Sequence, residues 1–73
     1  MTPAELLKAR NRLHLTQQQL GELLGYEASS ARSQISHMEA GARTIRSAQR
    51  LLLTAYLDGY RPKTWPKEGA DVA

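Results

Sequence analysis

The sequence contains no cysteine and no phenylalanine, and it has one tryptophan among its 73 residues. Without cysteine, neither a disulfide nor a thiolate metal site can hold the chain together. A chain of this length builds only a small core, so helix packing or a second subunit has to contribute to stability. No apolar run approaches the roughly 20 residues of a membrane span, and no secretory signal pattern opens the chain. We therefore expect a cytoplasmic protein with no membrane partner.

Patterns typical of catalysis or metal binding are also lacking. The histidines, His14 and His37, lie far apart in the sequence, and the acidic residues show neither metal-ligand spacing nor that of an acid–base pair. We therefore expect no enzymatic activity, no metal and no cofactor.

Positive charge is concentrated in one segment. Residues 28–57 contain one acidic residue, Glu39, and so carry the whole net charge of +3. The basic residues of this segment are Arg32, Arg43, Arg46 and Arg50. The basic and acidic residues elsewhere cancel. The cluster indicates an anionic partner, although a solvated surface is the simpler interpretation when the charge is considered alone.

Two stretches begin with the signature of a helix start. Thr2 to Glu5 combines an N-cap threonine, a proline at the first helical position and a glutamate that closes a capping box. This helix should run to about Leu13, with an inward face of Leu6, Ala9, Arg10 and Leu13. Thr16 and Gln19 repeat the capping-box spacing and predict a second helix, which ends near Gly25.

Gly21 lies inside this second helix, where glycine costs about 1 kcal/mol relative to alanine. A small residue there predicts close passage of a third helix, which ends at Glu39 and turns Ile35 and Met38 to the core. The other face of the third helix carries short polar groups and one arginine, which suit base edges and phosphates: Ser29, Ser30, Arg32, Ser33, Gln34, Ser36 and His37.

The order and spacing of these residues resemble the helix-turn-helix of Cro/repressor-type (XRE-like) DNA-binding domains. The residues that carry the resemblance, which covers about residues 4–57, are Arg10, Thr16, Gln17, Leu20, Gly21, Leu24, Gly25, Ile35, Met38, Glu39 and Gly41. It implies an all-α, four-helix, lambda-repressor-like domain over residues 1–59, with Arg10 and Glu39 as a structural ion pair. Small regulators of this kind include phage repressors, Cro-like proteins, antitoxins and anti-CRISPR-associated autoregulators.

One departure from the family pattern concerns the third helix. The resemblance implies roughly ten residues between the turn glycine and the glutamate, whereas here the two residues are Gly25 and Glu39. The four additional residues are close to one helical turn. They either lengthen the third helix at its start or lengthen the loop before it, and the sequence leaves both possibilities open.

The last helix is predicted from about Ser47 to Asp58, followed by Gly59. We expect its inward stripe to be Ala48, Leu51, Leu52 and Ala55. Three further apolar residues exceed what a small core needs, and we expect them to pack against the tail or to form a dimer: Leu53, Tyr56 and Leu57.

The tail, residues 60–73, is predicted to be non-helical because of Pro62 and Pro66. Trp65 either folds back as an apolar plug or contacts a second subunit. Lys67 to Ala73 is expected to be disordered.

The favoured function is sequence-specific binding of double-stranded DNA by a homodimer that represses transcription. The predicted base-reading residues are Ser29, Ser30, Arg32, Ser33, Gln34 and His37, and those predicted to contact phosphates are Thr16, Gln17, Arg43 and Arg46. The alternative is an antitoxin or other module that binds a protein partner through the last helix and the tail. RNA binding is a third possibility, although the chain lacks an exposed aromatic platform for stacking bases.

Overall fold

The computed structural model describes residues 1–66, which form four helices and no strand. The helices are α1 (Pro3–Arg12), α2 (Gln17–Leu23), α3 (Ala28–Glu39) and α4 (Ser47–Leu57). The predicted all-α class is confirmed. None of these helices combines the length and the apolar character needed to cross a membrane. The prediction of disorder for Lys67 to Ala73 falls outside the described residues.

The first two helices begin at capping boxes. The Thr2 hydroxyl accepts from the Glu5 N–H at 3.1 Å, and the Glu5 carboxylate accepts from the Thr2 N–H at 2.7 Å. These hydrogen bonds, led by the one from the Thr2 backbone, hold the pKa of Glu5 below its ordinary value. Thr16 and Gln19 form the same reciprocal pair at the start of α2, at 3.0 and 2.9 Å.

All four helices contribute to one core. The largest of the fully buried side chains come from every helix: Leu6, Leu20, Ile35, Met38, Leu53 and Tyr56. Ala9, Leu13, Leu15 and Leu24 complete the cluster. Because each helix buries one apolar face against the others, the polar side of α3 is left facing outward.

The contact between α2 and α3 is a close crossing of backbones. Gly21 is buried, and a Cβ atom placed on it would lie 2.6 Å from the Cβ atom of Ala31 and still closer to the Ala31 carbonyl oxygen. Only a residue without a side chain fits at this point. The glycine therefore fixes the height at which α3 passes over α2.

The four additional residues lengthen α3. The helix has 12 residues and starts at Ala28, with Glu27 in the N-cap position. Between the helices, Gln18 Nε2 donates to the Ala28 carbonyl at 2.8 Å and to Glu22 at 2.7 Å, which ties the start of α3 to α2. Of the two possibilities that the sequence left open, the structure has the longer helix.

The predicted inward stripe of α4 is wrong. Ala48 is exposed and Leu51 is 65% exposed, whereas Leu53 and Tyr56 are 0% and 2% exposed. Leu52 and Ala55 lie at the edge of the core and are partly buried. The helix is apolar on nearly all sides, so periodicity alone does not select its inner face. The face that includes the large Tyr56 ring removes more apolar area from water and is the one that packs.

The tail folds back over α4. The Trp65 ring meets Tyr56 edge-on, with centroids 5.2 Å apart, and the Arg61 guanidinium lies 4.1 Å from the Trp65 ring centroid. Arg61 also donates to the Tyr56 and Tyr60 carbonyls at 2.7 and 2.9 Å, next to the end of α4. The tail therefore covers apolar surface that α4 would otherwise expose.

Candidate nucleic-acid interface

The outward face of α3 is built from small polar side chains around one arginine. Ala31, Ile35 and Met38 are 0–2% exposed and hold the helix to the core. Because these three residues lie on one side of the helix, the residues between them point to solvent. The exposed set is Ser29, Arg32, Ser33, Ser36 and His37. No acidic side chain lies within α3 before Glu39 at its end.

Two predicted base-reading residues, Ser30 and Gln34, are only partly exposed. The Oε1 atom of Gln34 is buried and has no hydrogen-bond partner in the described part of the chain. A bidentate contact to adenine uses both the oxygen and the nitrogen of the carboxamide. In this rotamer Gln34 cannot make that bidentate contact.

The serine hydroxyls of α3 are partly engaged with their own helix. Ser33 Oγ donates to the Ser30 carbonyl at 3.0 Å, and Ser30 Oγ donates to the Glu27 carbonyl at 3.4 Å. A hydroxyl that donates inward keeps its lone pairs free to accept. In this arrangement Ser33 is suited to accept a hydrogen bond, as from the amino group of a base.

Arg32 lies on the side of α3 that faces the start of α2. It lines one open cleft together with Thr16 and Gln17 and with two residues near the end of α1, Asn11 and His14. The structure therefore brings Arg32, a predicted base-reading residue, next to two predicted phosphate contacts, Thr16 and Gln17. No sequence pattern pointed to Asn11. His14, with a φ of 57°, belongs to the turn that leads into α2.

The floor of this region is an ion pair between α1 and α3. Arg10 Nε donates to Glu39 Oε2 at 2.6 Å and its Nη2 to Oε1 at 3.2 Å, with the side chains 16% and 10% exposed. Arg10 Nη1 also donates to the Leu15 carbonyl at 3.0 Å. The pair neutralises the acid at the end of α3 and fixes the position of the helix relative to α1.

Gln17 belongs to the same network, because its Nε2 donates to Glu39 Oε1 at 3.0 Å. For this side chain the sequence predicts a hydrogen bond to a phosphate, with helix capping and no DNA contact as the alternative. A carboxamide nitrogen carries two hydrogens, so one N–H remains for an external acceptor. In the structure Gln17 therefore links α2 to α3, and one of its two side-chain N–H groups remains to donate to DNA.

The remaining predicted phosphate contacts lie after α3. Arg43 and Arg46 are exposed. The loop that carries them is held to the helix end, since the Ala42 and Arg43 N–H groups donate to the His37 carbonyl at 2.8 and 3.3 Å. Gln49 Oε1 accepts from the Arg46 N–H at 3.2 Å at the start of α4. Exposed arginines thus follow the C-terminal end of the polar face, while α2 begins beside its other edge.

The residues predicted to pack against the tail or to form a dimer are packed within the chain. Leu53 and Tyr56 have almost no exposed surface, and Leu57 and Trp65 pack partly buried against the same core. Leu53 and Tyr56 therefore have no surface to offer a second subunit, and of the two expected alternatives Tyr56 packs against the tail. Burial raises the pKa of the Tyr56 hydroxyl.

The described residues contain no group of three histidine, acidic or cysteine side chains placed to hold a metal ion. What the geometry does present is a polar, acid-free helix face clamped over a second helix, with arginines beside it. These features define a helix-turn-helix DNA-binding domain.

The comparison with protein families agrees with this class. The family model described as helix-turn-helix matches residues 6–55, which is more than half of the chain. The protein belongs to this family, the Cro/XRE-type helix-turn-helix DNA-binding domains, and is a DNA-binding regulator of transcription. No curated protein and no solved structure matches the chain.

Proposed function

We propose that this protein is a repressor that binds a pseudo-palindromic operator in double-stranded DNA as a homodimer. The observation that carries the proposal is the outward face of α3, where Arg32, Ser33 and His37 are exposed together and no acidic residue lies between the N-cap Glu27 and Glu39. Repression then follows from occupation of a promoter, and control of its own promoter is the simplest case. This last step rests on analogy with small regulators of the family.

Arg32 is assigned the main base contact. Its guanidinium can donate two hydrogen bonds to O6 and N7 of a guanine, which is the commonest specific contact in the major groove. Ser29, Ser33 and His37 supply shorter contacts along the same face, and Ser30 lies at its edge. For Gln34 only one end of the carboxamide is assigned to the groove, because the other end is buried.

Backbone phosphates are assigned to the two edges of this face. On one edge lie Thr16 and the remaining N–H of Gln17, at the helix start where backbone N–H groups favour an anion. On the other edge lie Arg43 and Arg46. Phosphate contacts position the protein on the duplex without reading sequence.

A homodimer is supported by size. The longest dimension of the described residues is 30 Å. This dimension is comparable with the roughly 34 Å that separates successive major grooves on one side of B-DNA, so two copies side by side are of a size to reach both grooves. Doubling the reading surface also multiplies specificity, which one short helix provides poorly.

The direct test is selection of bound fragments from a random duplex library, followed by binding of three variants to the selected site. Arg32→Ala should weaken the selected site by about 1–3 kcal/mol and leave random DNA almost unchanged. Arg46→Ala should weaken both and lower the salt dependence of binding. Lys8→Ala, an exposed residue of α1, is the control for loss of one positive charge. Equal losses for Arg32→Ala on selected and random DNA would remove its base-reading role.

The alternative, an antitoxin or other protein-binding module, loses support from the packing of α4. Its proposed contact patch was the set Leu53, Tyr56, Leu57 and Trp65, which is largely covered within the chain. A steep dependence of genomic DNA binding on salt favours DNA as the partner, whereas a flat dependence favours the alternative.

A further inference from the structure

The outward face of α4 carries an apolar stripe that no described residue covers. Ala48 and Leu51 are exposed, Ala55 is partly buried, and Leu51 is 65% exposed, the most exposed of the large hydrophobic residues between 1 and 66. A single exposed leucine is ordinary on a small protein. The charged residues at the two ends of the stripe are what indicate a partner for it.

These charges are placed against the dipole of α4. Arg46 is the N-cap and Arg50 follows one turn into the helix, near its positive end, while Asp58 is the C-cap at its negative end. Within residues 1–66 the sole ion pair is Arg10 with Glu39, so Asp58 has no cationic partner there. The same helix therefore has an acid without an ion-pair partner at one end, where Arg61 donates to the Tyr56 carbonyl, and two arginines without an acid at the other.

We propose that α4 of a second copy of this chain packs antiparallel on this stripe. In that orientation each Asp58 lies beside the positive start of the partner's α4 and within reach of the partner's Arg50. Each Asp58 then lies near cations, and the arginines at the start of each α4 lie near an acid. The two-fold axis makes this contact occur twice in the dimer. Charge complementarity of the surface with itself is what selects a second copy over an unrelated partner.

The spacing of the exposed residues fits this packing. Ser47, Leu51, Thr54 and Asp58 follow one another at intervals of four, three and four residues, which is the spacing of a helix–helix seam. Leu51 is the apolar member of this row, and the row borders the apolar stripe. With Ser47 opposite the partner's Asp58, Leu51 comes opposite the partner's Thr54, and Ala48 and Ala55 flank the contact with small side chains. Small flanking residues let the two helices approach closely.

The inference deepens the proposed homodimer and rests on it, because it names the surface through which that dimer forms. The stripe uses α4 alone, and the residues assigned to bases lie on α3. Two copies can therefore meet through α4 without covering the reading face of either.

The first experiment measures the dimer directly by sedimentation equilibrium and thermal melting. Leu51→Asp should raise the dimer dissociation constant at least about tenfold without lowering the melting temperature of the monomer, because the side chain is exposed. Leu7→Asp, at an exposed leucine of α1, is the matched control and should leave the dimer unchanged. If wild-type protein dimerises and Leu51→Asp dimerises equally well, the α4 surface is wrong although the homodimer stands.

The second experiment tests orientation by exchange of charges. Arg50→Glu and Asp58→Arg should each weaken the dimer, and the double variant should restore it, since only an antiparallel pair brings these two positions together. A double variant that dimerises no better than the single ones would overturn the antiparallel arrangement.

DNA binding separates this inference from the rest of the proposed function. Leu51→Asp should bind a single half-site as wild type does and lose the tighter binding to the full palindrome. A wild-type protein that binds the full site as a monomer would overturn the inference and the homodimer together, and DNA recognition by α3 would remain.

Discussion

The contact between α2 and α3 and the contact between α4 and the tail hold the same core in different ways. The first depends on the absence of a side chain at Gly21 and on a partly buried ion pair at its edge. The second depends on large rings, with Trp65 set edge-on against Tyr56. At the crossing of α2 and α3 the two backbones touch, so only one arrangement of the helices fits. The packing of α4 against the tail depends instead on which of its several apolar side chains point inward.

This difference explains where the sequence was informative. A glycine inside a helix is costly, so its presence indicates a specific close approach, and the neighbouring helix was placed correctly. A helix that is apolar on nearly every side gives no such constraint. The predicted inward stripe of α4 was wrong for this reason. Leu53 and Tyr56, expected against the tail or a dimer partner, lie in the core.

The largest expected effect tests the corrected face of α4. Leu53→Ala should lower the free energy of unfolding by about 4 kcal/mol, because the side chain is fully buried and its removal leaves a cavity. Leu51→Ala, at the exposed position of the same helix, should change it by less than about 0.5 kcal/mol. Urea denaturation measures both. If the two substitutions lowered the free energy of unfolding by similar amounts, the assignment of Leu53 to the inner face of α4 and of Leu51 to its outer face would be wrong.

The next effect concerns the ion pair beside the α2–α3 crossing. Glu39→Ala should cost about 3 kcal/mol in unfolding free energy, because it leaves the Arg10 charge partly buried without its partner. Gln17→Ala removes one hydrogen bond to the same carboxylate and should cost about 1 kcal/mol. If Glu39→Ala proved as mild as Gln17→Ala, the pair would be a surface contact and not part of the clamp.

A third variant tests the crossing itself. Gly21→Ala should destabilise the fold by about 2 kcal/mol, since the added methyl group overlaps Ala31 and outweighs the gain in helix propensity. Gly25→Ala is the contrast, because nothing lies within 4 Å of an added Cβ there and only its φ of 101° opposes the change. Its cost should be about 1 kcal/mol. Thermal melting of the two variants separates steric overlap from backbone strain, and a stable Gly21→Ala protein would argue against the close crossing.

The smallest effect tests the hydrogen bond that joins the two regions. The Tyr56 hydroxyl donates to the Leu23 carbonyl at the end of α2, at 3.1 Å. Tyr56→Phe keeps the ring and removes the donor, so it should cost about 1 kcal/mol. Tryptophan fluorescence should stay unchanged, because Trp65 packs on the ring and not on the hydroxyl. A shift in the Trp65 emission would show that the tail depends on this hydrogen bond.

Much of the candidate site followed from local rules. Helix starts at Thr2 and Thr16 and the polar face of α3 could be read from spacing, because capping and periodicity act over a few residues. The engagement of Gln17 with Glu39 and the buried oxygen of Gln34 could not. Both depend on side-chain rotamers chosen by neighbours that are distant in sequence.

The longer α3 has a consequence for the operator. One extra turn of helix adds about 6 Å of length, which corresponds to roughly two steps along the stacked bases of B-DNA. Because the addition is close to one full turn, Ala31, Ile35 and Met38 still point into the core. The helix is therefore longer at its start while its contact with α2 is unchanged. An operator half-site for this regulator should accordingly have an extended footprint, with added base preferences at the end that Ser29 approaches.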